Sequence, residues 1–187
     1  MALIPAFELG VWNAWIFILP IIIIMIFGSK ILGKRESEED PGISKKGQIL
    51  GIIDMVIRFV FYFYSIFLPL KLDAIWFVIG LLIYLPFMFF LIVALWNFAT
   101  TPVDKLVTKG VYRISRNPMF VGLVLVDLSI SIACLSWVFL LLAILDFLLL
   151  RHYVVLVEEP ILIGKHGDSY REYMKKTPRW IGIPKSE

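Results

Sequence analysis

The chain has 187 residues, a formal net charge of +3 and a mean hydropathy of +0.88, and 60% of its residues are hydrophobic. A soluble domain is about half apolar, and here the excess lies in long continuous runs. This composition excludes an ordinary soluble domain, and the small positive charge needs no nucleic acid to explain it. The single cysteine, Cys134, has no His or Cys near it in sequence, so we expect no internal disulfide and no metal site.

Five apolar runs are long enough, or nearly so, to form membrane helices, since about 20 apolar residues cross the hydrocarbon core. They occupy residues 9–27, 49–70, 74–95, 119–135 and 137–157. The first run is too long, and too poor in preceding positive charge, for a cleaved signal peptide. The sequence therefore predicts an all-α integral membrane protein with five transmembrane helices.

Along the chain, the segments outside these runs alternate between few and many lysine and arginine residues. Residues 1–10 and 134–136 carry none, 71–73 carry one, and three longer segments carry several: the loop 28–48, the connector (96–118) and the tail (158–187). Because positively charged loops stay in the cytosol, we expect the N-terminus outside and the connector and tail in the cytosol. The loop has a charged centre, KRESEEDPG, which is typical of a solvated linker.

The tail is amphipathic and predicts a helix at the membrane interface. Tyr170 and Tyr173 are three residues apart and share one helix face, and Pro178 is expected to end that helix. Trp180 and Ile181 then suit the headgroup boundary, where aromatic residues are favoured. An interfacial helix without a catalytic role accounts for most of this pattern.

Several ionisable side chains fall inside the predicted membrane helices, namely Asp54, Arg58, Asp127, Asp146 and Arg151. Such a group is costly in lipid and usually faces the bundle interior. Most of them lie in the inner half of the bundle, which indicates a polar pocket open to the cytosol and disfavours a channel or pump. Simpler interpretations stay open. Asp54 and Arg58, spaced i,i+4, can neutralise each other, Asp146 can bond a neighbouring helix, and Arg151 can extend to the interface.

Arg116-Asn117-Pro118 stands at the start of the fourth run. Asn117 is a favoured helix N-cap and Pro118 a favoured first helical residue, which explains the pair structurally. A helix N-terminus also offers N–H groups and partial positive charge, to which Arg116 adds a formal charge, so the site suits a carboxylate or phosphate. Glu158 and Glu159, after the fifth run, offer acceptors for hydroxyls and for a cation. A small molecule with anionic and cationic ends suits both together.

Two blocks, LVTKGVYRISRNPMFVG (106–122) and EEPILIGKHGDSYREYMKKTP (158–178), resemble the isoprenylcysteine carboxyl methyltransferase family of integral membrane enzymes. The family pattern is roughly Gly-x-Tyr-Arg-x-x-Arg-His-Pro-x-Tyr-x-Gly, a hydrophobic stretch, Glu-Glu, and then Gly-x-x-Tyr-x-x-Tyr. The likeness covers residues 97–184. Asn117 stands where the family has His and Phe120 where it has Tyr, so an aromatic wall is kept while an acid–base group and a hydroxyl are lost.

The resemblance implies one methyltransferase domain over residues 1–187, with a three-helix part at 1–96 and a catalytic part at 97–187. The cytosolic connector and tail then form a site for S-adenosylmethionine, with S-adenosylhomocysteine as product. The implied cofactor contacts are Asn97, Asp104, Lys105, Leu106, Val107, Tyr112, Asn117, Pro118, Met119, Phe120 and Glu158, and the chemistry of the residues adds Arg116 and Glu159.

The expected acceptor is lipid-like, most simply the carboxylate of an S-prenylated cysteine. A carboxylate is already ionised at neutral pH and needs no general base. It needs a cation to hold it, for which Arg151 is the first candidate and Arg58 the second, and Glu158 completes the expected catalytic set.

Three other functions remain open from the sequence. Phospholipid and amine methyltransferases share a similar C-terminal block, and Asp54 or Asp146 could then serve as the base. Membrane sterol reductases have a related region and bind NADPH, but they usually carry a Trp pair where this chain has Val111-Tyr112. A non-catalytic membrane adaptor would bind no nucleotide-like cofactor.

Overall fold

The computed structural model describes residues 8–39 and 44–184, and within these ranges the chain is helical without a β-strand. The helices are α1 (Trp15–Glu39), α2 (Lys45–Ser65), α3 (Ile75–Ala99), α4 (Pro118–Cys134), α5 (Trp137–Tyr153), α6 (Glu159–His166) and α7 (Asp168–Lys176). A 3₁₀ turn, Gly110–Arg113, precedes α4, and a π-helical turn, Val154–Glu158, joins α5 to α6. The all-α prediction is confirmed.

In the described part of the chain, three helices are long and apolar enough to cross a membrane. They are α2, α3 and the continuous helix Trp137–His166 that contains α5 and α6. Two shorter apolar helices accompany them, Trp15–Ile26 within α1 and Pro118–Cys134. These helices indicate an integral membrane protein, whereas the count of five spans and the orientation stay predictions.

The first helix differs from its prediction at both ends. It begins at Trp15 rather than at the start of the apolar run, and it continues to Glu39. The interpretation of residues 28–39 as a linker is therefore wrong, and their Lys, Arg, Glu and Leu content explains it, because these residues favour helix. Residues 40–43, which belong to the same predicted loop 28–48, and Lys185 of the tail lie outside the described residues.

The segment before α1 pairs with the link between α2 and α3. The backbone N–H of Ala14 donates to the Leu68 carbonyl at 2.9 Å, and that of Leu70 donates to the Trp12 carbonyl at 2.9 Å. The buried side chain of Asn13 donates to the Ile66 carbonyl at 2.7 Å. These bonds satisfy backbone groups that would otherwise lack partners at this end of the bundle.

Helices α3 and α4 run antiparallel at close range. A Cβ added to Gly80 of α3 would lie 2.5 Å from the backbone N of Ala133, and one added to Gly122 of α4 would lie 3.0 Å from Leu91 Cβ. Small residues are what allow membrane helices to approach this closely.

The α4–α5 hairpin agrees with the turn expected at 134–136. Leu135 adopts a left-handed backbone conformation with φ of 52°, and the Ser136 hydroxyl caps α5 by accepting from the Phe139 N–H. Because this turn is so short, the start of α4 and the end of α5 lie at the same end of the bundle.

Replacing Gly80 with Ala is expected to lower the free energy of unfolding by about 1–3 kcal/mol, because the added methyl overpacks the α3–α4 contact. The thermal unfolding midpoint of the detergent-purified protein measures the change. Gly164→Ala in α6 is the matched control, since a Cβ there meets nothing within 4 Å. Equal midpoints for Gly80→Ala and the control would contradict the described packing.

Candidate active site

The connector and the tail meet through backbone hydrogen bonds. The Arg116 N–H donates to the Pro178 carbonyl at 2.9 Å, and the Gly182 N–H donates to the Ile114 carbonyl at 3.0 Å. We call residues 178–182 the C-terminal segment. Its position beside the connector brings together two parts of the chain that are far apart in sequence.

Helix α7 packs against the connector rather than forming only an interfacial helix. Its Tyr170 and Tyr173 are both buried on one face, with ring centroids 6.0 Å apart, and the helix ends at Lys176, before Pro178. The shared face and the helix end predicted from sequence are thus confirmed. The Tyr173 hydroxyl donates to the Tyr112 carbonyl at 2.5 Å, which anchors the helix to the 3₁₀ turn of the connector.

Asn117 occupies the N-cap position of α4, but its side chain does not cap the helix in the described structure. Its amide instead donates to the Arg179 carbonyl at 3.0 Å, and its backbone N–H donates to the Ser115 hydroxyl at 3.1 Å. The capping role expected of the side chain is therefore wrong, although the position and Pro118 at the first turn agree. Pro118 has no N–H, and the Asn117 side chain does not cap the N–H groups that follow it. Such N–H groups at a helix N-terminus favour an anion.

Glu159 is buried and holds two arginines from different segments. Arg179 forms a fork with it, Nε to Oε1 at 2.8 Å and Nη2 to Oε2 at 2.9 Å. Nη1 of Arg116 lies 3.1 Å from Oε1 of the same carboxylate. Bidentate pairing of this kind is the strong, geometrically specific form of an ion pair. The hydrogen bond to Glu159 also raises the pKa of Arg179.

Tyr170 lies beside this charged group. Burial raises the pKa of its hydroxyl to about 12, although the nearby Arg116 partly opposes the change. The group is therefore protonated at neutral pH and does not serve as a base, and its oxygen accepts a hydrogen bond from the Arg116 side chain.

A π-helical turn sets the direction of the two glutamates. Within it the Glu159 N–H donates to the Val154 carbonyl, five residues back rather than four. Pro160 gives the physical reason, because a proline inside a helix lacks an N–H and its ring clashes with the carbonyl four residues earlier. The wider turn rotates Glu158 and Glu159 relative to α5, and such turns are frequent at functional sites.

Asn97, at the end of α3, lies beneath the connector. Gly110 has a positive φ of 59°, and a Cβ on it would collide with the Asn97 amide. Glycine at this position therefore allows the connector to approach α3. Within the described chain, the Asn97 Nδ2 is buried without a hydrogen-bond partner.

The other implied cofactor residues differ in exposure. Val107, Tyr112 and Pro118 are buried, Leu106, Met119, Phe120 and Glu158 are half-buried, and Asp104 and Lys105 are exposed. The Lys165 ammonium of α6 donates to the Val103 carbonyl at 3.3 Å, which brings α6 to the connector beside Asp104. The structure thus joins the connector, the start of α4 and α6.

Arg58 lies buried among three carboxylates inside the bundle. Its Nη2 donates to both oxygens of Asp146 on α5, at 2.9 and 3.1 Å, and its Nη1 lies 3.7 Å from Asp127 on α4. Asp54 is more distant, at 3.9 Å. The interpretation that Asp146 bonds a neighbouring helix is confirmed, and the pair of Asp54 with Arg58 is the longer contact.

The two predicted catalytic arginines are not brought to the glutamates by these contacts. Asp146 precedes Glu158 by about 18 Å along the helix axis, at 1.5 Å per residue. Arg58, which is bound to Asp146, is similarly distant from the glutamates. Arg151 is exposed on α5, nearer the glutamates along the helix. His152, next to it, contacts the Leu148 carbonyl through Nδ1 at 2.7 Å, as a structural histidine does.

Across the described residues, no group of three or more His, Cys, Asp or Glu side chains is arranged to hold a metal ion. Cys134 is half-buried at the end of α4. The carboxylates of both clusters described above are instead opposed by guanidinium groups.

Sequence reasoning missed Arg179 and Ser115. Ser115 is fully buried and accepts from the Asn117 N–H, and Arg179 holds Glu159. Ser115 occupies a variable position of the first block, where the pattern requires no particular residue. Arg179 lies outside both blocks, and no motif spacing connects it with Glu159, 20 residues before it. The unmatched negative charge of a buried Glu159 was the one available signal for an arginine partner.

A family model for phospholipid methyltransferases matches residues 68–169. The match covers more than half of the chain and includes α3, the connector, α4 and both glutamates. The chain belongs to the phospholipid methyltransferase family. This family is part of the superfamily of integral membrane methyltransferases that includes the isoprenylcysteine carboxyl methyltransferases, so the resemblance is confirmed. No curated protein matches the chain.

In this phospholipid methyltransferase family member, Arg58→Met is expected to lower the free energy of unfolding by about 3–5 kcal/mol, because it leaves buried carboxylates without a counter-ion. Thermal or denaturant unfolding in detergent measures the loss. Arg151→Met is the control, since it removes an exposed guanidinium and is expected to change stability by less than about 0.5 kcal/mol. An Arg58→Met protein as stable as this control would contradict the buried pairing.

Proposed function

We propose that this chain transfers a methyl group from S-adenosylmethionine to a lipophilic acceptor at the membrane surface. Membership of a methyltransferase family supports the class of reaction. The observation that carries the proposal is the placement of Arg116 and the uncapped first turn of α4 beside the carboxylates Glu158 and Glu159. This arrangement offers opposite charges to one small ligand, and a methionine-derived donor carries both.

The buried polar atoms of the site fit this donor. In the part of the chain that the structure describes, the Asn97 Nδ2 and the Arg116 Nε are buried without hydrogen-bond partners. Both are donors, and leaving a buried donor unsatisfied is costly, so each suits a ligand carboxylate or ring acceptor. Glu158 supplies the complementary acceptor for an amine or for hydroxyls. When bound, the cofactor supplies a methyl group on a positively charged sulfur, which is a good leaving group.

The residues of the site support an acceptor that is already ionised. Asn117 has no acid–base function, and Tyr170 remains protonated at neutral pH because its pKa is raised to about 12. A carboxylate acceptor needs no proton removed. The protein then contributes chiefly by holding the reacting groups in line, which can lower a barrier by about 7–11 kcal/mol.

We propose the carboxylate of an S-prenylated cysteine as the acceptor, with Arg151 as its counter-ion. Arg151 is exposed on α5, about 10 Å of helix before Glu158. Arg58 is the weaker candidate, because its guanidinium is already bound by Asp146. The exposed apolar side chains of the same helix, such as Leu148, suit a prenyl chain that approaches from the lipid.

A second candidate acceptor is the amine of a phospholipid headgroup. Two observations favour it: the description of the matching family, and the excess of carboxylates over guanidinium groups within the bundle. A protonated amine must lose a proton before methylation. Asp54, whose side chain is 22% exposed, is the candidate base in that reaction.

S-Adenosylhomocysteine is expected to stabilise the detergent-purified protein, by about 2.7 kcal/mol at a concentration one hundred times its dissociation constant. Glu158→Gln should reduce this thermal shift, because it removes the negative charge that is proposed to bind the amine or the hydroxyls of the ligand. Glu172→Gln, an exposed carboxylate of α7, is the control and should leave the shift unchanged. NADPH is the comparison ligand, and stabilisation by NADPH alone, or by neither compound, would reject the proposal.

Radiolabelled methyl transfer distinguishes the two acceptors. An N-acetylated S-farnesylcysteine is expected to accept the label, and vesicles of phosphatidylethanolamine are the competing substrate. Arg151→Met is expected to raise KM for the prenylcysteine about tenfold or more, because a charged hydrogen bond is lost, while S-adenosylhomocysteine binding stays unchanged. Label found only in the phospholipid, with no effect of Arg151→Met, would replace the first acceptor by the second.

A further inference from the structure

The C-terminal segment lies beyond the part of the chain that the family model matches, which ends at residue 169. It nevertheless contacts the connector along its length. Backbone hydrogen bonds join Pro178 to Arg116 and Gly182 to Ile114. Between these bonds, the Trp180 ring packs edge-on against Phe147 of α5, with ring centroids 5.5 Å apart. The segment is therefore fixed at both ends and in the middle.

Arg179 is the residue of this segment that reaches the charged centre of the site. Its side chain occupies both oxygens of Glu159, and its carbonyl accepts from the Asn117 amide. Glu159 in turn lies 3.1 Å from the Arg116 guanidinium. One residue thus contacts the carboxylate of α6 with its side chain and the start of α4 with its backbone.

Arg179 binds both oxygens of Glu159, whereas Arg116 contacts only one, and this difference indicates the role of Glu159. Both Glu159 oxygens are hydrogen-bonded by Arg179, so the carboxylate is already satisfied without a ligand. Arg116 contributes one ion-pair contact through Nη1, and its Nε has no hydrogen-bond partner among the described residues. Without the fork from Arg179, Glu159 would be free to turn toward Arg116 and engage more of its donors.

We propose that Arg179 is a positioning residue of the methyl-transfer site, which holds Glu159 so that Arg116 keeps a donor for the methyl-donor ligand. The inference rests on the proposed function, since it concerns the same ligand. It assigns to Glu159 an indirect role, through Arg116, rather than a contact with the ligand. It also makes the C-terminal segment a necessary part of the site.

The test compares Arg179→Gln with Arg171→Gln in the detergent-purified chain of 187 residues. Arg171 is an exposed arginine of the same tail, whose Nη1 lies 2.8 Å from the exposed Asp168 carboxylate, and it is the matched control. Calorimetry gives the dissociation constant of S-adenosylhomocysteine, and a thermal scan without ligand gives the intrinsic stability. Arg179→Gln is expected to raise the dissociation constant about tenfold, as for loss of a charged hydrogen bond.

Arg179→Lys supplies a rescue that a purely structural role does not predict. Lysine keeps the positive charge but cannot form the planar fork. We expect it to restore part of the affinity, leaving a dissociation constant about threefold above that of the unaltered protein. If Arg179→Gln does not fold, the comparison of Arg179→Lys with Arg171→Lys decides the question in the same way.

The outcomes separate this inference from the proposed function. If the unaltered protein does not bind S-adenosylhomocysteine, the proposed function fails. If it binds, and Arg179→Gln binds as tightly as Arg171→Gln, only the positioning role fails. A lower melting temperature with an unchanged dissociation constant would also overturn it, because Arg179 would then contribute to stability alone.

Discussion

A carboxylate removed from water is costly unless a counter-ion accompanies it, and this constraint fixes which parts of the chain meet. Asp146 and Glu159 are both buried, and each is hydrogen-bonded by an arginine from a distant part of the sequence. Arg58 thereby joins α2 to α5 within the bundle, and Arg179 joins the C-terminal segment to α6. The apolar faces of the helices, which lipid can cover equally well, do not specify these neighbours.

The two ion-pair clusters contribute differently to folding and to the site, because their surroundings differ. The cluster around Arg58 lies within apolar helices, where the loss of one charge leaves the others buried without a counter-ion. The cluster around Glu159 lies at the end of the bundle, where Arg179 is partly exposed and water can replace part of its interaction. A change in the first cluster therefore acts mainly on folding, and a change in the second acts mainly on the geometry of the site.

Sequence patterns predicted the apolar helices and the positions of the motifs, because both depend on residues that are close along the chain. The helix start at Pro118 and the shared face of Tyr170 and Tyr173 follow from local rules and agree with the structure. The side-chain role of Asn117 did not follow, because its amide bonds to Arg179 instead of to its own helix. Contacts of this kind depend on how α7 and the C-terminal segment fold back, which no local spacing encodes.

The short turn between α4 and α5 brings together the two helix ends that form the candidate site. It makes the two helices antiparallel, so the positive start of α4 and the acidic end of α5 lie at one end of the bundle. The π-helical turn before Pro160 then rotates the two glutamates. Left as a pair, Arg116 and Glu159 would satisfy each other and offer little to a ligand. A second arginine from the tail resolves this conflict, since it binds the glutamate and leaves part of the first arginine's hydrogen-bonding capacity unused.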